Sequence, residues 1–229
     1  MISDLTNTEL STDDWGNKAT RLSEASKLGL AIPAGICIQY AAALQSPASV
    51  GEALSAWIEL YQPQLIVARM SSIREDQLAE SNAGKTTSIL DCTPDVPTLL
   101  RTLNDALLPY ATPWASQGGG LSFIFQYQVR AQFGGVAFLI GDHLLVEGQR
   151  QSTNAVTAGD EPAVRMDITG ADIRAEGTLS GWPVTNMADS IRTACSRLKN
   201  HFGFDVDVEW AWSGGVLYVL QVRPVTVSL

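Results

Sequence analysis

The C-terminal segment constrains the fold of this chain most, because it combines a hairpin pattern with a group of polar residues. Residues 207–210 (DVEW) and 220–224 (LQVRP) flank the turn residues Gly214 and Gly215. Gln221 and Arg223 are two residues apart, so they share one face of a strand. Carboxylate and amide oxygens suit Mg²⁺, and a guanidinium suits phosphate. The segment predicts a sheet edge at which Glu209, Gln221 and Arg223 bind a metal–triphosphate group, although a polar surface hairpin fits the same residues.

The composition is that of an ordinary globular protein, with 45% apolar and 17% charged residues among 229. The net charge of −9 argues against a nucleic-acid-binding surface, which needs clustered Lys and Arg. We find no signal-peptide pattern and no apolar run of about 18 residues, so we expect a cytoplasmic protein without a membrane segment. Cys37, Cys92 and Cys195 are expected to be reduced and mostly buried thiols.

Helical periodicity is concentrated in the first part of the chain. Apolar spacing predicts a helix from Ala19 to Leu28 that ends at Gly29, and the same signal predicts helices over 47–61 and 95–110. Short strands are predicted over 34–39 and 65–68.

After the glycines at 118–120 the pattern changes to strands. Strands over 123–129, 135–140 and 144–148 are predicted to form a meander, followed by irregular strand over 154–175. A helix over 187–202, with Thr185 or Asn186 as N-cap and Gly203 after its end, precedes the closing hairpin. This order predicts an α+β fold of two lobes, 1–117 and 118–229.

Two further segments carry polar residues of interest. Lys18 lies at the start of a helix, where an anionic ligand explains a cation better than the helix dipole does, although solvated lysines are common. Gln126 and Gln128 alternate on a strand whose edge could offer amide groups to an adenine ring, although most such strands are simply part of a sheet.

A third segment has the composition of a phosphate-covering loop. Arg69 ends a buried strand, and serines, threonines and a small-residue turn at Gly84 follow it, with Ser88 at the end of the segment. Hydroxyls, exposed amides and a guanidinium all favour an anion. A polar surface loop is the alternative interpretation.

Taken together, the segments resemble the N-terminal ATP-binding domain of pyruvate phosphate dikinase and phosphoenolpyruvate synthase, which is shared with rifampin phosphotransferase. The resemblance lies in five blocks that occur in the family's order and cover the chain from end to end. They are G-x-K-x-x-x-L with G-L-x-x-P-x-G at 16–22 and 29–35, R-S-S-A-x-x-E-D with S-x-A-G at 69–76 and 81–84, V-Q-x-M-V with s-G-V-a-F at 125–129 and 134–138, D-x-E-W at 207–210, and L-Q-x-R-P at 220–224.

The resemblance implies an ATP-grasp fold, with a nucleotide between two lobes, and a role for each candidate residue. Lys18 and Arg69 would hold phosphates. Gly84 and Ser88 would belong to the loop that covers the triphosphate, and Gln126 and Gln128 would meet the adenine. Glu209 and Gln221 would bind Mg²⁺, with Asp207 on the same face. Arg223 would contact the transferred phosphoryl group, and Lys18, Arg69 and Arg223 would act in catalysis by positioning and charge neutralisation.

The departures from the family pattern shape the functional expectation. Met70 replaces the first Ser of R-S-S, Ser88 stands where Thr is usual, and the chain is shorter than the family domain. His143 and His201 are expected at a turn and a helix end, so no mobile-histidine motif is present. We expect a stand-alone Mg-ATP-dependent phosphotransferase whose acceptor is a small molecule or a histidine on a separate phosphohistidine-domain protein. The alternative is a nucleotide-binding or partner-binding module without catalysis.

Overall fold

The computed structural model describes residues 1–6, 9–73, 88–115, 120–151, 164–170, 172–177 and 181–225. The chain forms two compact units. Unit 1 comprises Met1–Glu24 and Pro33–Gln128, and unit 2 comprises Ala25–Ile32 and Val129–Leu229. The division into lobes 1–117 and 118–229 stays a prediction; the two compact units differ from it over 25–32 and 118–128.

Unit 1 is built on an antiparallel sheet of five strands in its described residues, in the order β1-β2-β5-β3-β4. These strands are β1 (Ile2–Asp4), β2 (Gly35–Gln39), β3 (Ile66–Ser72), β4 (Ser88–Cys92) and β5 (Leu121–Tyr127). Side chains on both faces of β3 and almost all of β5 are buried, as expected for strands with neighbours on both sides. The predicted strands over 34–39 and 65–68 are confirmed, and β3 continues through Arg69 to Ser72.

The first helix is α1 (Thr12–Lys27), whose residues up to Glu24 belong to unit 1. The apolar core of the unit 1 sheet is covered by the helical segments α2 (Tyr40–Gln45), α3 (Pro47–Tyr61), α4 (Val96–Arg101) and α5 (Leu108–Ala115). α3 has the predicted bounds, with Pro47 in its first turn. Asp95 caps α4 by accepting a hydrogen bond from the Thr98 amide at 2.9 Å.

The predicted helix over 95–110 is longer and less regular than expected. A π-helical segment, Thr102–Leu107, joins α4 to α5, and the helical course ends at Ala115. Buried apolar residues recur every fourth position at Leu99, Leu103, Leu107 and Ala111. Because a regular α-helix would rotate such a series away from the core, the wider π turn keeps these side chains on the buried face.

Unit 2 contains an antiparallel sheet whose described strands have the order β11-β10-β6-β7-β8-β9. They are β6 (Phe133–Ile140), β7 (His143–Arg150), β8 (Val164–Thr169), β9 (Asp172–Gly177), β10 (Val206–Ser213) and β11 (Val216–Pro224). Successive strands β6 to β9 form a meander, of which the pairing of β6 with β7 was expected, whereas β8 and β9 are more regular than predicted. The prediction that residues 123–129 open this meander is wrong. Those residues belong to β5, between β2 and β3, because a strand with both faces apolar is most stable at the centre of a sheet.

A single long helix in the described part of unit 2, α6 (Val184–Phe202), packs its apolar side chains against the sheet. Its start differs from the prediction: the Pro183 carbonyl accepts a hydrogen bond from the Met187 amide, so neither Thr185 nor Asn186 is the N-cap. Its predicted end is confirmed, because Gly203 has a φ of 75°. In the residues that the structure describes, no helix combines the length and apolarity needed to cross a membrane.

Candidate functional site

α1 is kinked at Gly16, and its second helical segment, which begins after this residue, lies directly on the C-terminal part of β3 because residue 16 is a glycine. Gly16 has a φ of 79°, and a Cβ atom there would lie 2.5 Å from the backbone of Ser71 and Ser72. The Ala19 amide donates a hydrogen bond to Ser71 Oγ at 3.0 Å. A side chain at residue 16 would separate these two segments, so glycine fixes the position of the helix start.

Lys18 is held in this junction with only 2% of its surface exposed. Its Nζ donates to the Met70 carbonyl at 3.1 Å, and Asn17 Nδ2 donates to the Ile73 carbonyl at 3.1 Å. The methionine at residue 70, where the family pattern has serine, does not remove this hydrogen bond, because the backbone carbonyl of residue 70 accepts it. The Met70 side chain packs in the core. The sequence therefore places a buried ammonium group at the end of β3.

Arg69 and Ser88, both predicted phosphate-binding residues, are neighbours across β3 and β4. They are paired in the sheet register, and Arg69 is buried. Arg69 and Ser71 are two residues apart on β3, so their side chains share one face of the sheet. The structure thus brings Arg69 next to Ser88. The third predicted residue of this loop, Gly84, lies outside the described residues.

The two predicted adenine-binding residues make contacts within unit 1. Gln126 is 1% exposed and its Nε2 donates to the Pro33 carbonyl at 2.9 Å. Gln128 accepts from the Asp91 amide and donates to Asp91 Oδ1, each at 2.8 Å. Asp91 has a φ of 55°, so Gln128 stabilises a left-handed residue in β4. Both amides support the scaffold, and their contact with adenine stays a prediction.

The closing hairpin of unit 2 brings the predicted metal and phosphate residues together. Glu209 pairs with Gln221, and Asp207 pairs with Arg223, in the register of β10 and β11. Residues directly opposite each other share a face, so all four side chains lie on the same face of the sheet. Val206, Val208, Trp210 and Trp212 alternate with them along β10 and are buried on the opposite face.

A direct hydrogen-bond network joins three of these residues. Arg223 Nη2 donates to Glu209 Oε1 at 2.9 Å. In the amide orientation that satisfies both groups, the Gln221 side-chain oxygen accepts from Arg223 Nε and Nη2. Gln221 is 4% exposed, and the side chains of Glu209 and Arg223 are 17% and 36% exposed. The predicted grouping of these three residues at a sheet edge is what the structure shows.

The donor set of this hairpin suits a magnesium ion that also binds a ligand. Glu209 and Gln221 supply a carboxylate and an amide oxygen from adjacent positions. Among the described residues, no group of three or more His, Cys, Asp or Glu side chains could hold a metal. Mg²⁺ commonly uses one or two protein ligands with substrate phosphates, so a two-oxygen site fits a metal–nucleotide complex.

The same sheet face carries a second, separate ion pair. Glu209 pairs with Val136, Val136 with Glu147, and Glu147 with Arg165, which places these residues in one row across four strands. Arg165 Nε lies 3.8 Å from Glu147 Oε1, and the Arg165 side chain is exposed. Arg165 therefore offers a matched arginine on the same sheet face, paired with Glu147, as an experimental control.

His201 has the helix-end position expected from the sequence, whereas His143 lies one residue beyond the expected turn. His143 begins β7 directly after a turn and its Nε2 lies 2.8 Å from Asp167 Oδ1. His201 lies in the last turn of α6 and packs edge-on against Phe202.

A shallow cleft of about 330 Å³ in unit 2 lies away from these residues. Residues 29–31, α6 and β11 line it, and the Val219 amide donates to the Ala31 carbonyl at 2.9 Å along its wall. None of the predicted site residues contributes to its lining.

Comparison with known proteins supports the fold. No family model and no curated protein matches the sequence. The structure is similar to macrocyclase MdnC bound with precursor peptide MdnA from Microcystis aeruginosa (TM-score 0.50, 14% identity, 93% of this chain and 53% of that chain). It is also similar to VanG D-Ala:D-Ser ligase from Enterococcus faecalis (TM-score 0.50, 11% identity, 90% and 51%).

A third similar structure is that of L-amino acid ligase from Bacillus licheniformis (TM-score 0.50, 13% identity, 90% of this chain and 42% of that chain). This chain therefore spans about half, or less, of the three structures it matches. At these identities the likeness concerns the fold alone, and the resemblance to the pyruvate phosphate dikinase family stays a prediction. The chain has the ATP-grasp fold, an α+β architecture with two antiparallel sheets in its described residues.

Proposed function

We propose that this protein binds Mg-ATP and transfers a phosphoryl group to an acceptor. The observation that carries the proposal is the network of Glu209, Gln221 and Arg223 on one face of an ATP-grasp sheet. These are two metal-suited oxygens and one phosphate-suited guanidinium within hydrogen-bonding distance of each other. A structural hairpin needs no such set, because the backbone ladder between β10 and β11 and the buried apolar face of β10 hold the two strands together.

Each residue has a proposed role that its chemistry supports. Glu209 and Gln221 bind the magnesium ion, which when present neutralises charge on the phosphates. Arg223 binds the oxygens of the transferred phosphoryl group through its planar fork. Lys18, which is on α1 beside β3, and Arg69, which is on β3, are both buried cations and are proposed to bind the other phosphates together with Ser88 and Gly84. Gln126, which is on β5, and Gln128, which directly follows β5, are proposed to contact the adenine.

The acceptor is proposed to be a small molecule or a histidine on a separate phosphohistidine-domain protein. The acceptor atom forms the new bond to phosphorus, while the bond from phosphorus to the leaving phosphate oxygen breaks. A second candidate is a carboxylate acceptor, as in a ligation reaction, because two of the similar structures are described as ligases. The two classes differ in the chemistry of their products.

Labelled ATP tests the proposal and separates the acceptor classes. The protein is incubated with ATP that is radiolabelled on the terminal phosphate, with Mg²⁺ and with each candidate acceptor. Release or transfer of label supports the proposal. Hydroxylamine then identifies an acyl phosphate formed on a carboxylate acceptor by converting it to a hydroxamate with release of phosphate, whereas acid-labile label on protein identifies a phosphohistidine. Turnover should fall by about 10²–10³ in Glu209→Gln, the usual effect of losing one electrostatic group.

The matched control is Glu176→Gln, which removes a carboxylate from exposed edge strand β9 of the same sheet. Its turnover should equal that of the wild-type protein. No turnover of ATP under any condition by the folded wild-type protein would exclude the phosphotransferase proposal. Binding of ATP without turnover would instead favour the alternative, a nucleotide-binding module.

A further inference from the structure

We propose that Arg223 occupies the metal ligands of the nucleotide-free protein, so that the hairpin binds a divalent cation together with a nucleotide and excludes the free ion. The inference rests on the proposed function and adds to it the form in which the ligand binds. Its basis is that one guanidinium contacts both proposed metal ligands, Glu209 Oε1 at 2.9 Å and the Gln221 side-chain oxygen.

The guanidinium of Arg223 and a metal ion compete for the same atom, the side-chain oxygen of Gln221. A side-chain amide oxygen has two lone pairs, and here it accepts from both Nε and Nη2 of Arg223. That oxygen therefore has no lone pair left for a metal ion while Arg223 remains in place. Gln221 is also buried, so its amide cannot turn freely toward solvent to find another position. A metal ion can use Gln221 only after the guanidinium has moved.

The side chain of Arg223 can change its position when a nucleotide binds. Its side chain is 36% exposed, and it lies on β11, the edge strand of the sheet. Pro224 follows it and restricts its backbone to extended conformations, so the movement involves the side chain and leaves the strand pairing in place. The guanidinium can therefore turn from the two ligands toward an anion without loss of the hairpin.

A phosphate group offers the displaced Arg223 guanidinium a hydrogen-bond acceptor, which a free cation does not. When a cation alone displaces Arg223, the guanidinium loses its charge-assisted hydrogen bonds and gains only water. When the cation arrives with phosphates, those oxygens offer the guanidinium a two-point partner and also complete the magnesium coordination. Metal and nucleotide should therefore bind with strong mutual enhancement, which is a coupling between two ligands at one site.

Manganese titrations test this coupling without reference to turnover. Mn²⁺ is used as the paramagnetic probe and free Mn²⁺ is measured by electron paramagnetic resonance, with and without a non-hydrolysable ATP analogue. Wild-type protein should bind Mn²⁺ weakly alone and much more tightly with the analogue. Arg223→Met should bind Mn²⁺ alone about tenfold more tightly, the effect of removing a charge-assisted hydrogen bond, and should bind the Mn²⁺–analogue complex more weakly.

The control is Arg165→Met, which removes an equal charge from the same sheet face but from the ion pair with Glu147. Its Mn²⁺ affinity should change by less than about fivefold, because an exposed pair interacts weakly. Thermal melting of each variant establishes that it is folded, and Arg223→Gln replaces Arg223→Met if the latter does not fold.

The outcomes separate the inference from the proposed function. If Arg223→Met and the wild-type protein bind Mn²⁺ alone equally well, the competition is refuted, while tight binding of the Mn²⁺–analogue complex keeps the proposed function. If the two arginine variants gain the same affinity, a general charge effect explains the result and the inference is also refuted. If no form binds the Mn²⁺–analogue complex, both the proposed function and the inference fail.

Discussion

Gly16→Ala should destabilise the protein more than any ordinary surface substitution. An added Cβ would lie 2.5 Å from Ser71 C and Ser72 N, and residue 16 has a φ of 79°. With a ψ of 169°, residue 16 lies in a backbone region that is essentially restricted to glycine and costs an L-residue about 1–3 kcal/mol. The steric contact is with backbone, so α1 must move away from β3 and weaken the hydrogen bonds that join them, each contributing about 0.5–1.5 kcal/mol. We expect a total loss of about 2–5 kcal/mol.

Urea denaturation followed by circular dichroism measures this loss as a change in the free energy of unfolding. The matched control is Gly51→Ala within α3, where an added Cβ would meet Leu100 and Val96 side chains at 3.6 Å, an ordinary contact. That control should be neutral or stabilise the protein by up to about 1 kcal/mol, because alanine is the better helix former. A Gly16→Ala protein as stable as the wild type would refute the close junction of α1 and β3 on which the position of Lys18 depends.

Three further outcomes follow from individual contacts. Hydrogen bonds from Lys199 and the Gly141 amide lower the pKa of Asp205 below its ordinary 3.8, so its contribution to stability is present above that value and lost as the pH falls through the lowered pKa. Asp205→Asn should therefore lower the melting temperature at about pH 7, and this difference should shrink as the pH falls below 3.8. Burial raises the pKa of Cys195 to about 12 and also raises that of Cys37, so neither thiol should react with a disulfide reagent until the protein unfolds, and rapid labelling of the folded protein would contradict this burial. Arg223→Lys should lose most phosphoryl transfer at unchanged melting temperature, because an ammonium cannot bridge two oxygens; full activity would reduce Arg223 to a surface charge.

The closing hairpin could be predicted from the sequence because its information is local. A Gly-Gly turn fixes the pairing of two adjacent segments, and alternation then decides which side chains share a face. Glu209, Gln221 and Arg223 meet for that reason. The helix over 47–61 was equally accessible, because its apolar spacing and its first-turn proline lie within one segment. The buried, reduced state of the three cysteines also followed from their spacing and number.

Long-range pairing could not be predicted in the same way. The sequence of residues 121–127 contains no local signal that predicts the pairing of β5 with β2 and β3, because these two strands are distant in the chain. The support of Lys18 by the Met70 carbonyl and of α1 by Ser71 also depends on a junction between distant segments. Gly16 is the local feature that could have indicated this junction, since a glycine permits both the positive φ and the close approach of two backbones seen there.

The side-chain hydrogen-bond partners of Gln126 and Gln128 could not be predicted from the sequence for a similar reason. Their amides bind Pro33 and Asp91, and both partners come from other strands or loops of unit 1. A glutamine on a strand has the same appearance in a sequence whether it supports the backbone or contacts a ligand.

Calorimetric titration of ATP tests the central claim most directly, namely that Glu209 holds the metal of a bound Mg-ATP. ATP is titrated into the wild-type protein, Glu209→Gln and the control Glu176→Gln, once with Mg²⁺ and once with a chelator. The wild-type protein and the control should bind ATP with Mg²⁺ and lose most of that affinity with the chelator. Glu209→Gln should bind weakly in both conditions at unchanged melting temperature. Equal, magnesium-dependent binding by Glu209→Gln and the wild type would contradict the claim.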